Sequence, residues 1–71
     1  MASTGVTVDA RGMRCPWPAL RLARAMRRDT AVLLLSDDPR AEGEVAALAA
    51  AHGWALTVSC DGPIWHIRAV R

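Results

Sequence analysis

The apolar residues that follow position 15 recur with the period of an amphipathic helix. They are Ala19, Leu22, Ala23 and Met26, at the i, i+3, i+4 and i+7 positions that share one helical face. The helix is predicted to begin within residues 15–18, because proline is well tolerated in the first turn of a helix. We expect its apolar face to pack on the core.

A second helix is predicted farther along the chain. Asp38 and Pro39 are typical of a helix start, with aspartate as the N-cap and proline at the first helical position. Glu42 and Glu44 suit the positive end of the helix dipole, and Gly53 is expected to end the helix. The predicted buried face consists of Val45, Leu48, Ala49 and His52.

The remaining apolar segments are short and predict four strands. Residues 6–8 and 64–70 alternate between apolar and polar positions, and residues 54–59 form a third candidate. Residues 31–35 are a continuous apolar run, typical of a central strand that is buried on both faces. Residues 61–63, Asp-Gly-Pro, predict a turn between the last two strands.

The predicted order of elements is β-α-β-α-β-β. Because crossovers between parallel strands are right-handed, both helices should lie on one face of a four-stranded mixed sheet. The expected fold class is therefore α/β, a two-layer α/β sandwich. We expect a single domain over residues 1–71 with a core from about 6 to 70, and a more exposed second sheet face with room for a partner.

All nine basic residues are arginine, and they are unevenly distributed. Residues 1–35 hold six Arg and two Asp, a net charge of +4, whereas residues 36–71 hold three Arg and five acidic residues, a net charge of −2. An anionic partner is easiest to place against the N-terminal half. The overall charge of +2 is far below that of a dedicated nucleic-acid binder, so direct nucleic-acid binding is not expected.

Other composition features exclude several classes of protein. No segment approaches the roughly 18 apolar residues of a membrane span, and residues 1–12 lack the apolar core of a signal peptide. Two cysteines do not make a disulfide framework, and the spacing of the Cys and His residues matches no zinc-ligand motif. We expect a cytoplasmic protein with no metal site and no membrane partner.

The candidate chemistry lies at Cys15, which is followed by Pro16 and Pro18 at the predicted helix start. Neither proline costs a helical hydrogen bond there, because first-turn N–H groups have no intrahelical partner, and both stiffen the turn. The helix dipole favours a thiolate at this end, and Arg14 and Arg11 are expected to add to the effect. A thiolate is the species that accepts and donates sulfur.

Gly12 and the loop that follows it are expected to project Cys15 outward, within reach of a partner's cysteine. Position 18 is a proline, so the chain lacks the second cysteine of a Cys-x-x-Cys pair, which would resolve a mixed disulfide internally. The alternative is that Cys15 is inert and packed beneath the loop, since free cysteine is among the most buried residue types. Cys60, which precedes the last turn, is expected to pack in the core.

Residues 8–18 resemble the N-terminal signature of the TusA/SirA-like sulfur-carrier family, which is an apolar residue, Asp, a small residue, Gly, an apolar residue and then Cys-Pro-x-Pro. Residues 37–39 are similar to the Asp-Pro at the start of the family's second helix, and His52 with Gly53 before a strand is similar too. The resemblance extends over residues 6–70.

The resemblance implies a sulfur carrier with the two-layer fold expected above. The family's motif cysteine, here Cys15, receives sulfane sulfur as a persulfide from a donor protein, a cysteine desulfurase or a rhodanese. It then passes the sulfur to an acceptor protein for tRNA thiolation, cofactor sulfuration or sulfur oxidation. The persulfide is a transient covalent intermediate, and no separate cofactor is implied.

The same match gives supporting roles to neighbouring positions. Gly12, Pro16 and Pro18 would shape the loop around the motif cysteine. Asp9 and Asp38 match positions of structural support.

Candidate partner contacts lie close to the motif. Trp17 fills the variable place in it and is either a contact anchor or a cap over the core. Arg21, Arg24 and Arg28 share one face of the predicted first helix, which is a solvated basic ridge or a docking surface for an acidic partner. Arg11 adds to the positive charge nearby. Trp54 and Trp65 are expected to pack against the last two strands.

Two functions from different classes remain at this point. The first is sulfur relay through Cys15, with the chain acting as a sulfurtransferase in the sense of a persulfide carrier; whether such a carrier is an enzyme is left open. The second is a non-catalytic regulatory or interaction module that uses the same loop and basic helix. The two differ in whether activity depends on the sulfur atom of Cys15.

Overall fold

The fold is a two-layer α/β sandwich. The computed structural model describes residues 5–71, and six elements follow one another in the order β-α-β-α-β-β, which confirms the predicted fold class. None of the helices within residues 5–71 is long and apolar enough to cross a membrane. The bounds are β1 Val6–Asp9, α1 Trp17–Ala25, β2 Ala31–Ser36, α2 Ala41–His52, β3 Ala55–Asp61 and β4 Ile64–Val70.

The four strands form one mixed sheet in the order β1-β2-β4-β3. β1 is parallel to β2, whereas β4 is antiparallel to both of its neighbours, β2 and β3. Val8 is opposite Leu34, and Leu34 is opposite Ile67, so these three side chains share a face of the sheet. That face carries the core.

Both helices cover this face and bury its apolar side chains. From α1, Leu22 is completely buried, and Met26 at the helix end is 1% exposed; from α2, Val45 is completely buried. They pack with Leu34 and Ile67 of the sheet in a single cluster. A chain of 71 residues buries a limited fraction of its surface, so each of these contacts is a large share of the stability.

The second face of the sheet is more open, as expected, and this changes the environment of β2. Val32 and Leu34 lie beneath the helices and are buried, whereas Leu33 and Leu35 on the opposite face are only half-buried. The prediction that β2 is buried on both faces is therefore wrong for the second face. Both helices lie on the first side, which leaves the second side without a covering layer.

The start of α2 also differs from the prediction. The helix begins at Ala41 and not at Pro39. The N-cap residue is Arg40, and Asp38 acts two residues earlier: its Oδ1 accepts the N–H of Arg40 at 3.0 Å and its carbonyl accepts the N–H of Ala41 at 3.0 Å. These bonds make a tight turn that leads into the helix.

Helix α2 ends at His52, just before Gly53, as predicted. The environment of His52 differs from the prediction. Val45 and Ala49 are buried, whereas His52 is exposed. Its ring stacks on Trp54 with centroids 4.7 Å apart. The prediction of a buried His52 is therefore wrong, because the ring turns outward to Trp54. Trp54 and Trp65 are half-buried against the core, as expected.

Gly53 takes a φ of 75°, in the left-handed region, as it closes α2. Gly53→Ala places a Cβ in a conformation that L-residues disfavour, so we expect the free energy of unfolding to fall by about 1 kcal/mol. The matched variant is Gly43→Ala inside α2, where an added Cβ meets nothing within 4 Å. That change should raise the free energy of unfolding by about 0.5–1 kcal/mol. Urea denaturation measures both, and two effects of the same sign would contradict this description of the helix.

Candidate functional site

The segment between β1 and α1 carries Cys15 to the start of the first helix. Pro16 is the N-cap residue and Pro18 lies in the first turn, so both prolines occupy the positions where they cost no helical hydrogen bond. The Cys15–Pro16 peptide bond is cis. The N–H of Trp17 donates to the carbonyl of Arg14 at 2.9 Å and closes the turn around the cysteine. Cys15 itself is half-buried.

Asp38 joins this loop to the start of α2. Its side chain is nearly buried, and Oδ2 accepts the N–H of Cys15 at 2.7 Å while Oδ1 accepts the N–H of Arg40. The N–H of Asp38 donates to Oγ of Ser36 at 3.2 Å. The backbone hydrogen bonds from Arg40 and Cys15 hold the pKa of Asp38 below its usual range, and the charges of Arg40 and Arg14 add to the effect.

Two other carboxylates fix the earlier part of the loop. The N–H of Gly12, a residue with a φ of 85°, donates to both oxygens of Asp37 at 3.0 and 3.1 Å. Asp9 accepts hydrogen bonds from the backbone and the guanidinium of Arg11, at 2.7–3.1 Å. The side-chain hydrogen bond from Arg11 is the main reason why the pKa of Asp9 falls to about 2.

The environment of the thiol raises the pKa of Cys15. Partial removal of the sulfur from water is the largest cause, and the Glu44 carboxylate is the next, through its charge and a hydrogen bond. Asp38 acts in the same direction, whereas Arg40 opposes them. The prediction that this position favours a thiolate is therefore wrong for the protein whose Cys15 is a free thiol. Burial and a nearby carboxylate outweigh the helix end.

The two arginines expected to support a thiolate are differently placed. Arg11 is engaged by Asp9, with 2.7 Å between its Nη2 and Oδ2. Arg14 is exposed and acts on the carboxylate of Asp38. The cation that does lower the Cys15 pKa is Arg40, which follows Asp38 by two residues. Sequence neighbours of the cysteine were thus a poor guide to its spatial neighbours.

Two depressions flank the cysteine loop. A polar cleft of about 460 Å³ is lined by Gly12, Met13 and Arg14 on one side and by residues 37–40 on the other. An apolar groove of about 250 Å³ runs between the two helices and has Pro16 and Glu44 at its wall. A partner approaching Cys15 would therefore find polar groups on one side and apolar side chains on the other.

The candidate contact residues of α1 point to solvent. Trp17 is 59% exposed, so it does not cap the core, and Leu20 beside it is 52% exposed. Arg21 and Arg24 are exposed as well, and Arg28 lies in the turn beyond the helix. The structure therefore places an apolar pair and a basic pair on the helix that begins after the cysteine.

Cys60 does not pack in the core, contrary to the prediction. It is exposed at the end of β3, and its Sγ donates to the carbonyl of Gly62 at 3.0 Å. β3 is the edge strand farthest from β1, and every residue of it except Leu56 is exposed. Across residues 5–71, no three His, Cys, Asp or Glu side chains lie close enough together to hold a metal ion.

Three residues near the cysteine were not singled out for the site from the sequence, namely Asp37, Arg40 and Glu44. Asp37 and Arg40 adjoin the Asp-Pro pair that begins the second helix, and Glu44 was noted only for its favourable place near a helix dipole. A usable signal was present. Parallel β1 and β2 bring their carboxyl ends to the same edge of the sheet, so the residues after β2 must face those after β1.

Comparison with known proteins shows that the chain matches a known family. The family described as "Sulfurtransferase TusA" matches residues 6–70, nearly the whole chain. The chain belongs to the TusA sulfurtransferase family. Membership implies a sulfur-carrier role and partner proteins in a sulfur relay. No curated protein sequence matches the chain.

A solved structure shares the fold of this TusA-family chain. It is a SirA-like protein from Desulfitobacterium hafniense, similar with a TM-score of 0.83 and 23% sequence identity. The match covers 92% of this chain and 95% of the other. At that identity, the likeness shows the common fold.

Asp38→Asn tests the connection between the cysteine loop and α2. One carboxylate oxygen becomes an amide nitrogen, so either Cys15 or Arg40 loses its acceptor and the protein should be less stable at pH 7. The native Asp38 pKa lies below its unfolded value, so its stabilisation is present above the unfolded pKa and is lost as the pH falls through the native pKa. The difference between wild type and variant should therefore shrink between pH 5 and the acid limit.

Urea denaturation across this pH range measures that difference. The control is Asp61→Asn, in the hairpin between β3 and β4. A wild-type minus Asp38→Asn difference that stayed constant with pH, or that equalled the Asp61→Asn difference throughout, would show that the Asp38 carboxylate does not hold the loop.

Proposed function

We propose that this protein accepts sulfane sulfur as a persulfide on Cys15 and relays it to an acceptor protein. One observation carries the proposal: in a chain of the TusA family, Cys15 lies partly accessible at a helix start whose backbone is fixed by Asp38. A fixed backbone with an accessible sulfur allows a partner's reactive group to be presented in one orientation.

The proposed transfer needs no redox partner. Sγ of Cys15 attacks the terminal sulfur of a donor persulfide, a new S–S bond forms, and the donor's own S–S bond breaks. The electron pair of the broken bond leaves on the donor's cysteine as a thiolate. Delivery repeats the same displacement with an acceptor as the nucleophile and Cys15 as the leaving group. Sγ of Cys15 is oxidised to the persulfide level while the donor's Sγ is reduced to a thiolate, so the two changes cancel and no external oxidant or reductant is needed.

The proposed donor is a cysteine desulfurase or a rhodanese, and the proposed acceptor is a protein of tRNA thiolation, cofactor sulfuration or sulfur oxidation. The regulatory module that the sequence left open differs in a simple way, since it would not need the Cys15 sulfur. Nothing in the geometry favours it over the carrier. The carrier is supported by the hydrogen bonds that hold the backbone around Cys15: Gly12 and Cys15 donate to Asp37 and Asp38, and the N–H of Trp17 donates to the carbonyl of Arg14.

We propose that partners dock on the face formed by Trp17, Leu20, Arg21 and Arg24. Its apolar part is exposed beside the cysteine loop, and a Trp with adjacent arginines is the composition of interface hot spots. Arg21 and Arg24 carry no salt bridge within residues 5–71, so their charge is available to an acidic partner. Arg11 is a weaker candidate because Asp9 already engages it.

Cys15→Ser should abolish sulfur loading, because a hydroxyl cannot hold a persulfide. The protein is incubated with a cysteine desulfurase and cysteine, trapped with an alkylating agent, and analysed by mass spectrometry for the added sulfur. The matched control is Cys60→Ser, which removes the chain's other cysteine and should load like the wild type. Retained loading in Cys15→Ser, or loss of loading in Cys60→Ser alone, would refute Cys15 as the carrier.

Charge reversal on α1 tests the docking face. The double variant Arg21→Glu, Arg24→Glu should slow loading from the desulfurase by about ten-fold at low salt, through weaker electrostatic attraction. Loading from a small donor such as glutathione persulfide should be much less affected. Arg68→Glu is the control, because Arg68 is exposed on the open sheet face, opposite Leu33. Equal loading rates for the double variant and Arg68→Glu would contradict this docking face.

A further inference from the structure

The outer edge of β3 has no partner strand within residues 5–71. β3 is the last strand in the order β1-β2-β4-β3, and its inner edge pairs with β4 along its whole length, from Ala55 opposite Val70 to Asp61 opposite Ile64. Every residue of β3 except Leu56 is exposed. The backbone N–H and C=O groups that point outward from this edge can therefore pair with another strand.

The two edges of the sheet differ in how well they are protected against such pairing. β1, at the opposite edge, has only four residues and ends in Asp9, which is bound by Arg11. Short strands and charged side chains are common ways to block an edge. β3 has seven residues, contains no Lys, Arg or Pro, and pairs with β4 one residue against one, without a bulge. Its edge therefore has none of the usual protection along its length, which indicates an edge that is used.

The sequence of β3 is complementary to itself. When two identical copies of this strand pair in antiparallel fashion, the register that pairs all seven residues is centred on Val58. The facing pairs are then Val58–Val58, Leu56–Cys60, Thr57–Ser59 and Ala55–Asp61. Facing residues of an antiparallel pair point to the same side of the sheet. Apolar side chains therefore meet apolar ones, hydroxyls meet hydroxyls, and no two like charges face each other.

The side of β3 that carries Val58 is also the side that gains most from a partner. Val58 is opposite the buried Ile67, so it lies on the face that the helices cover, yet it is 36% exposed. Cys60, two residues farther along on the same face, is exposed as well. Pairing centred on Val58 would remove these apolar side chains from water.

The position of α2 fits this pairing. α2 contacts β3 and β4, whereas α1 contacts β1 and β2. A twofold axis between two antiparallel β3 strands keeps all helices on one face of the joined sheet. The two α2 helices would then be about two strand spacings apart, roughly 10 Å, which is a normal distance for packed helices. The flank of α2 away from the groove between the helices carries the exposed Ala46 and Ala50, which are small enough for this approach.

We propose that two copies of this protein associate through β3 and form a continuous eight-stranded sheet with four helices on one face. A second copy is the occupant that the strand's own sequence favours, because one register satisfies the length, the faces and the charges together. One strand and one helix flank form a small interface, so we expect a dissociation constant on the order of 10–100 μM.

This association is independent of the proposed sulfur transfer and leaves it unobstructed. Cys15 follows β1, at the edge opposite β3. Trp17 and the rest of the proposed docking face are on α1, the helix that contacts β1 and β2. Each copy in the dimer would therefore present its own sulfur site at the far end of the joined sheet.

Sedimentation equilibrium of the full chain under reducing conditions tests the association, at concentrations from about 10 μM to about 1 mM. The wild-type mass should rise with concentration from 7.6 kDa toward twice that value. Thr57→Lys should weaken the association by at least about ten-fold, because it places two like charges on diagonal positions about 7 Å apart across the axis.

Thr7→Lys is the matched control. Thr7 and Thr57 are both exposed, lie in the same row of the sheet, through Leu33 and Arg68, and point to the same open face. They differ in the edge that they occupy, so Thr7→Lys should associate like the wild type. Circular dichroism shows whether each variant keeps the fold.

Disulfide trapping tests the register. In a Cys15→Ser, Cys60→Ser background, Val58→Cys places two thiols directly opposite each other, at a Cα separation of about 5 Å that a disulfide can span. Mild oxidation should link the copies. In the Cys15→Ser variant the two Cys60 residues would be four positions apart, about 13 Å, so the same oxidation should link them at least about ten-fold more slowly.

Three results would overturn the proposal. A wild type that stayed at 7.6 kDa at every concentration would exclude pairing with a second copy and leave the edge to a strand of another protein. Equal association of Thr57→Lys and Thr7→Lys would place the contact away from β3. Equal rates of linking through position 58 and through Cys60 would reject the register centred on Val58.

Discussion

The arrangement of the site depends on the Asp38 carboxylate. Its Oδ2 accepts the N–H of Cys15, 23 residues earlier in the chain, and its Oδ1 accepts the N–H of Arg40 in the turn into α2. These segments meet because β1 and β2 are parallel neighbours, so both strands end at the same edge of the sheet. The N–H of Ala10 bonds to the carbonyl of Leu35 there and continues the alignment beyond the strands. The site is thus a property of the assembled sheet and not of the Cys-Pro-Trp-Pro sequence alone.

Two demands on Cys15 pull in opposite directions. In the proposed relay the sulfur must be accessible to another protein, yet a freely ionised and fully exposed thiol would react with oxidants and unrelated thiols. In the structure, Cys15 is half-buried, and desolvation and the Glu44 carboxylate both raise its pKa. The exposed Trp17, part of the proposed docking face, lies on α1 immediately beyond it. In the proposed relay, protection of the thiol and access for a partner would come from neighbouring but separate groups.

Sequence periodicity predicted the element order and the two-layer fold, because an amphipathic stripe or an alternating run leaves few choices in a chain this short. It was less successful where tertiary surroundings decide. Cys60 is exposed at the end of the edge strand β3, and His52 turns outward to Trp54; neither follows from the local pattern. In the candidate site, the motif cysteine and its loop could be predicted from the sequence. The direction in which the Cys15 pKa is shifted could not be predicted, because its largest cause is desolvation in the folded protein and the next is Glu44, 29 residues farther along.

The strand order has a consequence for how this chain reaches its folded form. β4 is the last element in sequence, but it lies between β2 and β3 and pairs with both along their length. Until residues 64–70 have been synthesised, β3 has no partner in the sheet and β2 has only β1, so the helices lack half of the surface on which they pack. Such long-range pairing delays folding until late in synthesis. The arrangement around Cys15 is therefore completed only after residues 64–70 have joined the sheet.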